Sequence, residues 1–248
     1  MSIWERSGGN PRDIQFDRTI PNDGRTMDDF DSRSSPEKFT EKQQILIRHL
    51  FRSCIQFGNF QLTSGRESPY IFNIPRDESD GVYLILAQEC ANLMNRANPD
   101  IISPVPTASN YIGELIAERL SIPTVYVRIR DIDQEGKLPV DGFREEFSGR
   151  RAVIFDDAAT TGGSIRLAAG GLRAEGAIVD TAIVVIDREE GAQEALEKDG
   201  IRLLAVFGAR EMFEYARGAV TQMGQRILSD ENYEAAIRHL DLYARKPT

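Results

Sequence analysis

The spacing of apolar residues after position 40 predicts two helices in the first part of the chain. Thr40 is a candidate N-cap, since a hydroxyl side chain there can accept a hydrogen bond from the first turn. The apolar residues that follow it lie at helical spacing: Ile45, Leu46, Leu50, Phe51 and Cys54. A second helix is predicted over residues 81–96.

Beyond Pro99, short apolar runs alternate with helical patterns. The strand-like runs cover residues 101–102, 123–127, 152–155, 178–186 and 201–207. Helical patterns lie around 111–119, at 164–175 and at 192–198, and two further helices are predicted within 211–242. Strands that alternate with helices favour an α/β fold, doubly wound, with a mostly parallel sheet covered by helices on both faces.

The first 37 residues differ from the rest of the chain. They are rich in turn-forming and charged residues and have no hydrophobic period. A flexible N-terminal extension, or an arm that orders on a partner subunit, is therefore predicted over 1–37. Residues 38–248 are predicted to form one folded domain, with an N-terminal part at about 40–76, a core at about 80–210 and C-terminal helices at about 211–242.

Composition and charge exclude several classes of function. The chain of 248 residues has a formal net charge of −9, and an acidic surface repels phosphate, so no nucleic-acid partner is expected. No apolar run approaches the about 18–20 residues of a membrane-spanning helix, so no membrane partner is expected. The two cysteines, Cys54 and Cys90, cannot form a disulfide framework. These features predict a reduced, cytoplasmic protein.

The strongest chemical signal follows the apolar run at 152–155. Two adjacent acids, Asp156 and Asp157, come directly after it, and a turn of small and hydroxyl residues then opens a helix. That turn consists of Ala158, Ala159, Thr160, Thr161, Gly162, Gly163 and Ser164. Free N–H groups at a helix start bind phosphate, and glycines let the backbone approach the anion closely. In an open α/β sheet, ligands bind at the carboxyl ends of the strands.

The two acids need a separate explanation, because a carboxylate repels phosphate. Asp156 and Asp157 are predicted to accept hydrogen bonds from sugar hydroxyls and to stabilise a developing positive charge. The alternative is that they only cap the turn, which is a common use of aspartate. The complete string of residues 153–164 favours the ligand-binding interpretation.

That string closely resembles the phosphoribosyl-diphosphate signature of type I phosphoribosyltransferases. The resemblance implies that Asp156 and Asp157 are catalytic and hold the 2′- and 3′-hydroxyls of the ribose. It also implies that residues 158–164 bind phosphoribosyl diphosphate, with 160–164 around its 5-phosphate. Mg²⁺ is the implied cofactor, held indirectly by the two acids through the ligand or water.

Further segments resemble the orotate phosphoribosyltransferases. Residues 57–73 resemble their N-terminal substrate hood, and residues 187–191 resemble their Asp-Arg-x-Glu-Gly turn. Residues 104–108 and 123–128 lie where that family has its diphosphate-binding loop and the strand before its mobile loop. The resemblance implies the type I phosphoribosyltransferase fold, with a small hood at about 40–76. It also implies transfer of ribose 5-phosphate from phosphoribosyl diphosphate to orotate, a step of pyrimidine biosynthesis.

The same resemblance assigns individual binding residues. Thr107 and Arg128 are implied contacts of phosphoribosyl diphosphate. The implied orotate contacts are Tyr70, Ile71, Phe72, Thr160 and Arg188. An arginine fork suits the carboxylate and carbonyl groups of orotate, and aromatic side chains suit its flat ring. The alternatives are a surface ion pair of Arg188 with Glu189 or Glu190, and an ordinary core strand at 70–72.

The mobile-loop region departs from the family pattern. Residues without charge replace two loop lysines, a loop histidine and a hood lysine: Ile129, Ile132, Gln134 and Thr63. Arg130 and Lys137 are the candidates to supply the missing catalytic contacts to the diphosphate. The histidines, His49 and His239, are predicted to lie in helices outside the site.

The altered loop leaves two other functions open. One is a paralogue of low or no activity that binds phosphoribosyl diphosphate or a pyrimidine as a sensor. The other is a phosphoribosyltransferase for a different nucleobase. A homodimer is expected in each case, because the mobile loop of the family serves the neighbouring subunit.

Overall fold

The computed structural model describes residues 38–62, 65–74, 81–106, 108–128, 139–141, 147–221 and 223–243. No helix in this part of the chain is both long and apolar enough to cross a lipid bilayer. The predicted extension at 1–37 lies outside the described residues. So do several residues singled out from the sequence: Thr63, Thr107, Ile129, Arg130, Ile132, Gln134 and Lys137.

The described residues form seven helices and eight strands. The N-terminal elements are α1 (Glu41–Ser53), β1 (Ile55–Gln61), β2 (Glu67–Phe72) and α2 (Val82–Arg96). They are followed by β3 (Ile101–Pro104), α3 (Asn110–Leu120), β4 (Tyr126–Val127), β5 (Val140–Asp141) and β6 (Arg151–Ala159). The last are α4 (Gly163–Ala174), β7 (Ile178–Asp187), α5 (Ala192–Lys198), β8 (Arg202–Gly208), α6 (Ala209–Gly218) and α7 (Asp230–Asp241).

Four parallel strands form the central sheet, in the order β3-β6-β7-β8. Their apolar runs are buried on both faces because alternate side chains enter two different cores. On β6, Val153 and Phe155 enter the core shared with α1, α2, α3, α6 and α7. Ala152 and Ile154 enter the core shared with α4 and α5. The predicted α/β fold, with helices on both faces of a mostly parallel sheet, is confirmed.

The segment before the sheet folds into a helix and a hairpin. Thr40 caps α1 as predicted, since its Oγ1 accepts a hydrogen bond from the Gln43 N–H while the Gln43 side chain accepts one from the Thr40 N–H. Strands β1 and β2 pair in antiparallel fashion. The ring of Tyr70 on β2 packs edge-to-face on Phe213 of α6, with centroids 4.9 Å apart. This contact fixes the hairpin against the C-terminal helices.

Strand β6 is longer than the predicted run at 152–155. It continues through the acidic pair, since Asp156 pairs with Val184 of β7 and Ala158 pairs with Ile186. The apolar pattern ends before the hydrogen-bonded ladder does, which is why the sequence placed the acids after the strand. Asp156 and Asp157 are therefore held within a central strand rather than in a loop.

The region between β3 and β6 contains a small pair of strands. Only Tyr126 and Val127 of the predicted strand at 123–127 form a ladder, and Thr124 makes a single parallel bridge to Ile102. Pro123 has no N–H to donate to a ladder. Tyr126 and Val127 pair with β5. The sequence did not predict β5, because it lies in a polar stretch.

Candidate active site

A cavity of about 770 Å³ opens where β6 and β7 end. Its walls come from residues 156–165, from the hairpin β1–β2, from the segment after β3 and from Arg188. This is the edge of a parallel sheet at which ligands bind in open α/β folds. The structure thus brings the acidic pair, the turn 158–164, Ile71, Phe72 and Arg188 to one cavity.

The turn before α4 presents free backbone N–H groups to this cavity. No side chain caps α4, so the amides of its first turn have no side-chain partner. Gly162 has a φ of +75°, and a Cβ at this position would lie 3.0 Å from Cγ of Leu196. A Cβ on Gly163 would meet nothing closer than Thr161 Oγ1 at 3.8 Å. Gly162 is therefore required by the backbone and its packing, whereas Gly163 keeps space open for an anion.

The acidic pair is anchored by hydrogen bonds at the end of β6. Asp156 is 8% exposed, and its Oδ1 accepts a hydrogen bond of 2.7 Å from the Ser109 hydroxyl. The Asp157 N–H donates to Oδ1 of Asp156 at 2.9 Å and to Oγ of Ser109 at 3.0 Å. The Ala158 N–H donates to Oδ1 of Asp157 at 2.8 Å. Both carboxyl groups are thus oriented before any ligand binds.

Burial makes the charged form of this pair costly in the absence of a ligand. Burial raises the pKa of Asp156 well above its usual range, and the neighbouring charge of Asp157 adds to the effect. Burial also raises the pKa of Asp157. A ligand that brings hydroxyl donors or positive charge to the pair would stabilise its ionised form. The ribose of a phosphoribosyl group, which becomes positively charged during transfer, has both properties.

Ser109 is a site residue that the sequence analysis missed. It is fully buried and immediately precedes α3, where a serine is ordinarily interpreted as an N-cap. Its side chain makes no capping hydrogen bond, because the hydroxyl is used by the acidic pair. The signal that could have revealed it is its position directly after the segment 104–108, which the sequence placed beside the phosphates.

Arg188 also lines the cavity and is 3% exposed, and its backbone N–H donates to the Ala159 carbonyl oxygen at 3.0 Å. Its Nε donates to Glu190 Oε1 at 2.8 Å, its Nη2 donates to Ser68 Oγ at 2.9 Å, and its guanidinium carbon lies 4.3 Å from the centroid of Tyr70. The alternative of a surface ion pair is wrong, because the pair with Glu190 is buried. Within the described residues, Nη1 has no hydrogen-bond partner, so a ligand in the cavity can use it.

The three candidate residues on β2 have different environments. Ile71 and Phe72 line the cavity. Tyr70 is buried beneath it, between Arg188 and Phe213, and so does not occupy a position from which it could cover a flat ligand. Its position favours the core alternative, with the added role of supporting the Arg188 guanidinium from behind.

His239 makes a contact that the sequence did not predict. It lies on α7, as expected, but its Nε2 is 3.1 Å from Oε1 of Glu190, the carboxylate that holds Arg188. His49 lies on α1, with its ring edge-to-face against Tyr83 and remote from the cavity. Nothing in the local sequence distinguishes the two histidines, since both occupy buried positions of amphipathic helices.

The described part of the loop region contributes one charged candidate. Arg128 follows β4, and its Nε lies 2.9 Å from Oδ2 of Asp141 in an exposed ion pair. Thr107, Arg130 and Lys137 lie outside the described residues. Among the described residues, no group of three or more His, Cys, Asp or Glu side chains is arranged to hold a metal ion. Within this part of the chain, Asp156 and Asp157 are the carboxylates that line the cavity.

Comparison with known proteins supports the resemblance found in the sequence. Residues 83–207 match the family model described as phosphoribosyl transferase domain. The orotate phosphoribosyltransferase of Sulfolobus acidocaldarius is 32% identical over 184 residues, covering 73% of this chain and 92% of that protein.

Two solved structures extend the comparison to the fold. The crystal structure of orotate phosphoribosyltransferase from Aeropyrum pernix is 34% identical, with a TM-score of 0.56, over 68% of this chain and 97% of that one. The structure of Leishmania donovani UMP synthase is 27% identical, with a TM-score of 0.70, over 80% of this chain but only 42% of that one. By sequence and by fold, the chain belongs to the orotate phosphoribosyltransferase family of glycosyltransferase-type enzymes.

Proposed function

We propose that this protein transfers ribose 5-phosphate from phosphoribosyl diphosphate to N1 of orotate in a Mg²⁺-dependent reaction. The products are orotidine 5′-phosphate and diphosphate. The observation that carries the proposal is a single cavity lined by an uncapped helix start, an oriented acidic pair and a buried arginine. The helix start and the acidic pair suit the phosphoribosyl group, and the arginine suits an anionic heterocycle.

The phosphoribosyl end binds through backbone and acidic groups. The 5-phosphate accepts hydrogen bonds from the turn 160–164 and the start of α4, where Gly163 leaves room for it. The ribose hydroxyls donate to Asp156 and Asp157, whose other oxygen contacts are already made by Ser109 and the backbone. The remaining contacts of Ala158, Ala159 and Thr107 with the ligand are proposed from the family resemblance.

The transfer breaks the bond between C1 of the ribose and the diphosphate oxygen and the N1–H bond of orotate, and it forms a bond between C1 and N1. The proton from N1 leaves with the diphosphate. The electron pair of the broken C1–oxygen bond leaves with the diphosphate, so positive charge develops on the ribose. Asp156 and Asp157 stabilise that charge because they lie in a buried site where electrostatic interactions are poorly screened. Their stabilisation is greatest in the transition state and therefore increases kcat.

The orotate end uses Arg188 together with the apolar hairpin side chains. The N–H groups of Arg188 Nη1 donate to the carboxylate or carbonyl oxygens of orotate. Glu190 and Ser68 hold the other two nitrogen atoms, Nε and Nη2. Ile71 and Phe72 contact the ring and exclude water. Thr160 lines the same cavity, and its contact with orotate is proposed from the family resemblance.

The proposed cofactor is Mg²⁺ bound to the diphosphate. It would be held by Asp156 and Asp157 through the ligand or water, and it would supply neutralisation of charge on the leaving diphosphate. The residues fit this indirect role, because the described acids can contribute at most a pair of carboxylates at the cavity.

Arg128, Arg130 and Lys137 are the proposed cationic contacts of the diphosphate. Arg130→Ala and Lys137→Ala should each reduce kcat. The activation free energy should rise by about 1.5–3 kcal/mol in each variant, the contribution of a charge-assisted hydrogen bond. The double variant should lose less than the sum, because the two contacts would share one diphosphate. Steady-state rates of the three variants test this contribution, and unchanged kcat in all of them would exclude it.

We further propose a homodimer in which this loop region serves the neighbouring subunit. Light scattering that shows a monomer at micromolar concentration with ligand present would contradict the dimer. Cys54 and Cys90 are both buried and form no disulfide with each other, which supports the cytoplasmic location that we also propose.

The function is tested by a phosphoribosyl-diphosphate-dependent assay against orotate and a panel of other nucleobases. Turnover of orotate with release of diphosphate is the expected result, and it should stop when Mg²⁺ is chelated. Turnover of another base alone would indicate a different phosphoribosyltransferase. Binding of phosphoribosyl diphosphate without turnover of any base would indicate a sensor.

A further inference from the structure

We propose that His239, on the last helix, is a positioning residue for orotate binding that acts through Glu190 on Arg188. The inference rests on the proposed function and assigns a role to a residue that does not line the cavity. The first observation is a chain of close contacts: His239 Nε2 lies 3.1 Å from Oε1 of Glu190, and the same oxygen accepts the 2.8 Å hydrogen bond from Arg188 Nε.

All three members of this chain are buried. Arg188 is 3% exposed, Glu190 1% and His239 6%. A buried carboxylate requires several partners, and Oε2 of Glu190 has no hydrogen-bond partner within the described residues. Arg66 Nη1 lies 4.0 Å from Oε2, so the closer contacts that hold the charge are those on Oε1. Burial by itself would raise the pKa of Glu190, but the contacts with His239 and Arg188 keep that pKa below its ordinary value.

The backbone of the turn is held by a second, independent contact. Arg66, between β1 and β2, donates from Nη1 to the Glu190 carbonyl oxygen at 2.8 Å, and its guanidinium carbon lies 4.5 Å from the centroid of Tyr243. Because this contact fixes the backbone of Glu190, the carboxylate can move mainly by rotation about the side-chain bonds. His239 and Arg188 both contact Oε1, so both oppose that rotation.

Packing fixes the imidazole itself. The His239 ring lies edge-to-face on Tyr70, with centroids 6.0 Å apart, and it contacts Tyr243 at 5.2 Å. Tyr70 also lies beneath the Arg188 guanidinium. The same aromatic ring thus packs against both Arg188 and His239, the two side chains that contact one carboxylate oxygen. Removing the imidazole nitrogens would let Glu190 rotate, and Arg188 would lose the direction of its free Nη1.

The discriminating experiment compares His239→Phe with His239→Gln. Phenylalanine keeps the ring packing against Tyr70 and Tyr243 but has no polar atom for Glu190, whereas glutamine supplies an N–H near the position of Nε2. The KM for orotate should rise about tenfold in His239→Phe, because Glu190 loses a close polar contact at Oε1 that helps to hold Arg188 in place. The KM for phosphoribosyl diphosphate and kcat should stay within about twofold, and His239→Gln should restore most of the orotate KM.

His49→Phe is the matched control, because His49 is a buried helix histidine against a tyrosine ring and remote from the cavity. It should leave all three constants unchanged. Equal orotate KM in wild type and His239→Phe would overturn the role of His239 alone. A parallel loss of both substrates, or no recovery with glutamine, would show a merely structural role and also overturn it. Wild-type protein that neither binds nor turns over orotate would contradict the proposed function itself.

Discussion

The two ends of the active-site cavity are built in different ways. The phosphate end comes almost entirely from one continuous segment, residues 156–164, and it acts through backbone N–H groups and two carboxylates at the end of a central strand. The orotate end is assembled from side chains of separate elements: Ser68 and Tyr70 on β2, Arg188 and Glu190 after β7, and His239 on α7. Phosphate binding therefore depends on one local segment, at the end of β6, whereas orotate binding depends on contacts between elements that are distant in the chain.

This difference leads to distinct expectations for substitutions. Changes at the phosphate end should act locally on one ligand and should often leave the fold intact. Changes at the orotate end should disturb a network of buried partners, so affinity and stability should change together unless charge and volume are kept.

The largest expected effect is at the acidic pair. Asp157→Asn keeps the 2.8 Å hydrogen bond from the Ala158 N–H to Oδ1 but removes the charge. We expect kcat and kcat/KM to fall together by about 10²–10³-fold, as for loss of a preorganised electrostatic contact to the transition state. Initial rates at varied concentrations of both substrates measure this. A raised KM with normal kcat would mean that the acid only binds the ground state.

A pair of glycine variants tests whether the phosphate end acts independently of the fold. Gly163→Val fills the open space before α4 and should reduce affinity for phosphoribosyl diphosphate by about 100-fold, or about 2.7 kcal/mol, with little change in Tm. Gly162→Ala, at a φ of +75° beside Leu196, should instead destabilise the fold by about 1–2 kcal/mol. Calorimetric titration and thermal unfolding of both variants give the result. Equal binding by Gly163→Val and wild type would remove the phosphate site from this turn.

At the orotate end, Arg188→Lys keeps a positive charge beside Glu190 but loses the planar fork. Orotate affinity should fall by about 10–100-fold, because a lysine cannot bond Glu190, Ser68 and the ligand at once. Binding of phosphoribosyl diphosphate should stay the same. Arg210→Lys is a suitable control, since Arg210 pairs with Glu189 of the same turn but is partly exposed. Orotate binding lost to the same extent in both variants would show that the turn, not the guanidinium, is what matters.

The smallest expected effect concerns stability and pH. The folded-state pKa of Asp156 is raised, so the folded protein binds more protons than the unfolded chain once the pH exceeds the ordinary aspartate pKa of about 3.9. The free energy of unfolding of the ligand-free protein should therefore decrease as the pH rises through that window. Asp156→Asn, whose Oδ1 can still accept from Ser109, should be more stable than wild type at pH 7, because it removes a charge that burial disfavours.

This difference should shrink toward zero as the pH falls below about 4, where the wild-type acid is protonated in both states. Denaturant unfolding at several pH values measures the effect. A variant that is equally or less stable at pH 7 would show that the acid is stabilised within the fold and that the pair carries no strain.

The sequence revealed the phosphate end because that end is local. Residues 153–164 contain the strand, the acids and the glycine turn in one string, and each part has its own physical signature. Even there the strand was predicted too short, since β6 continues through two charged residues that an apolar pattern cannot include. A central strand can carry charged side chains at its carboxyl end, where it meets a ligand.

The orotate end was only partly accessible from sequence. Arg188 was identified through its turn, but its buried pair with Glu190 depends on α7, about fifty residues later in the chain. Tyr70 was predicted to face the ligand because a six-residue strand with three apolar positions does not show which side is the cavity. Ser109 resembled a helix cap, and only the structure shows that its hydroxyl is directed at Asp156. These are long-range contacts, which no local pattern contains.

The pairing of Asp156 inside the sheet also bears on how the two ends can evolve. Strand β6 is hydrogen-bonded on both sides, to β3 and to β7, so its backbone should open only when the whole domain unfolds. Sugar-phosphate recognition is thereby linked to the survival of the fold and should resist mutational drift. Recognition of the base depends on side chains of the turn after β7 and of α7. Directed evolution toward other heterocycles should therefore find tolerated substitutions at those positions.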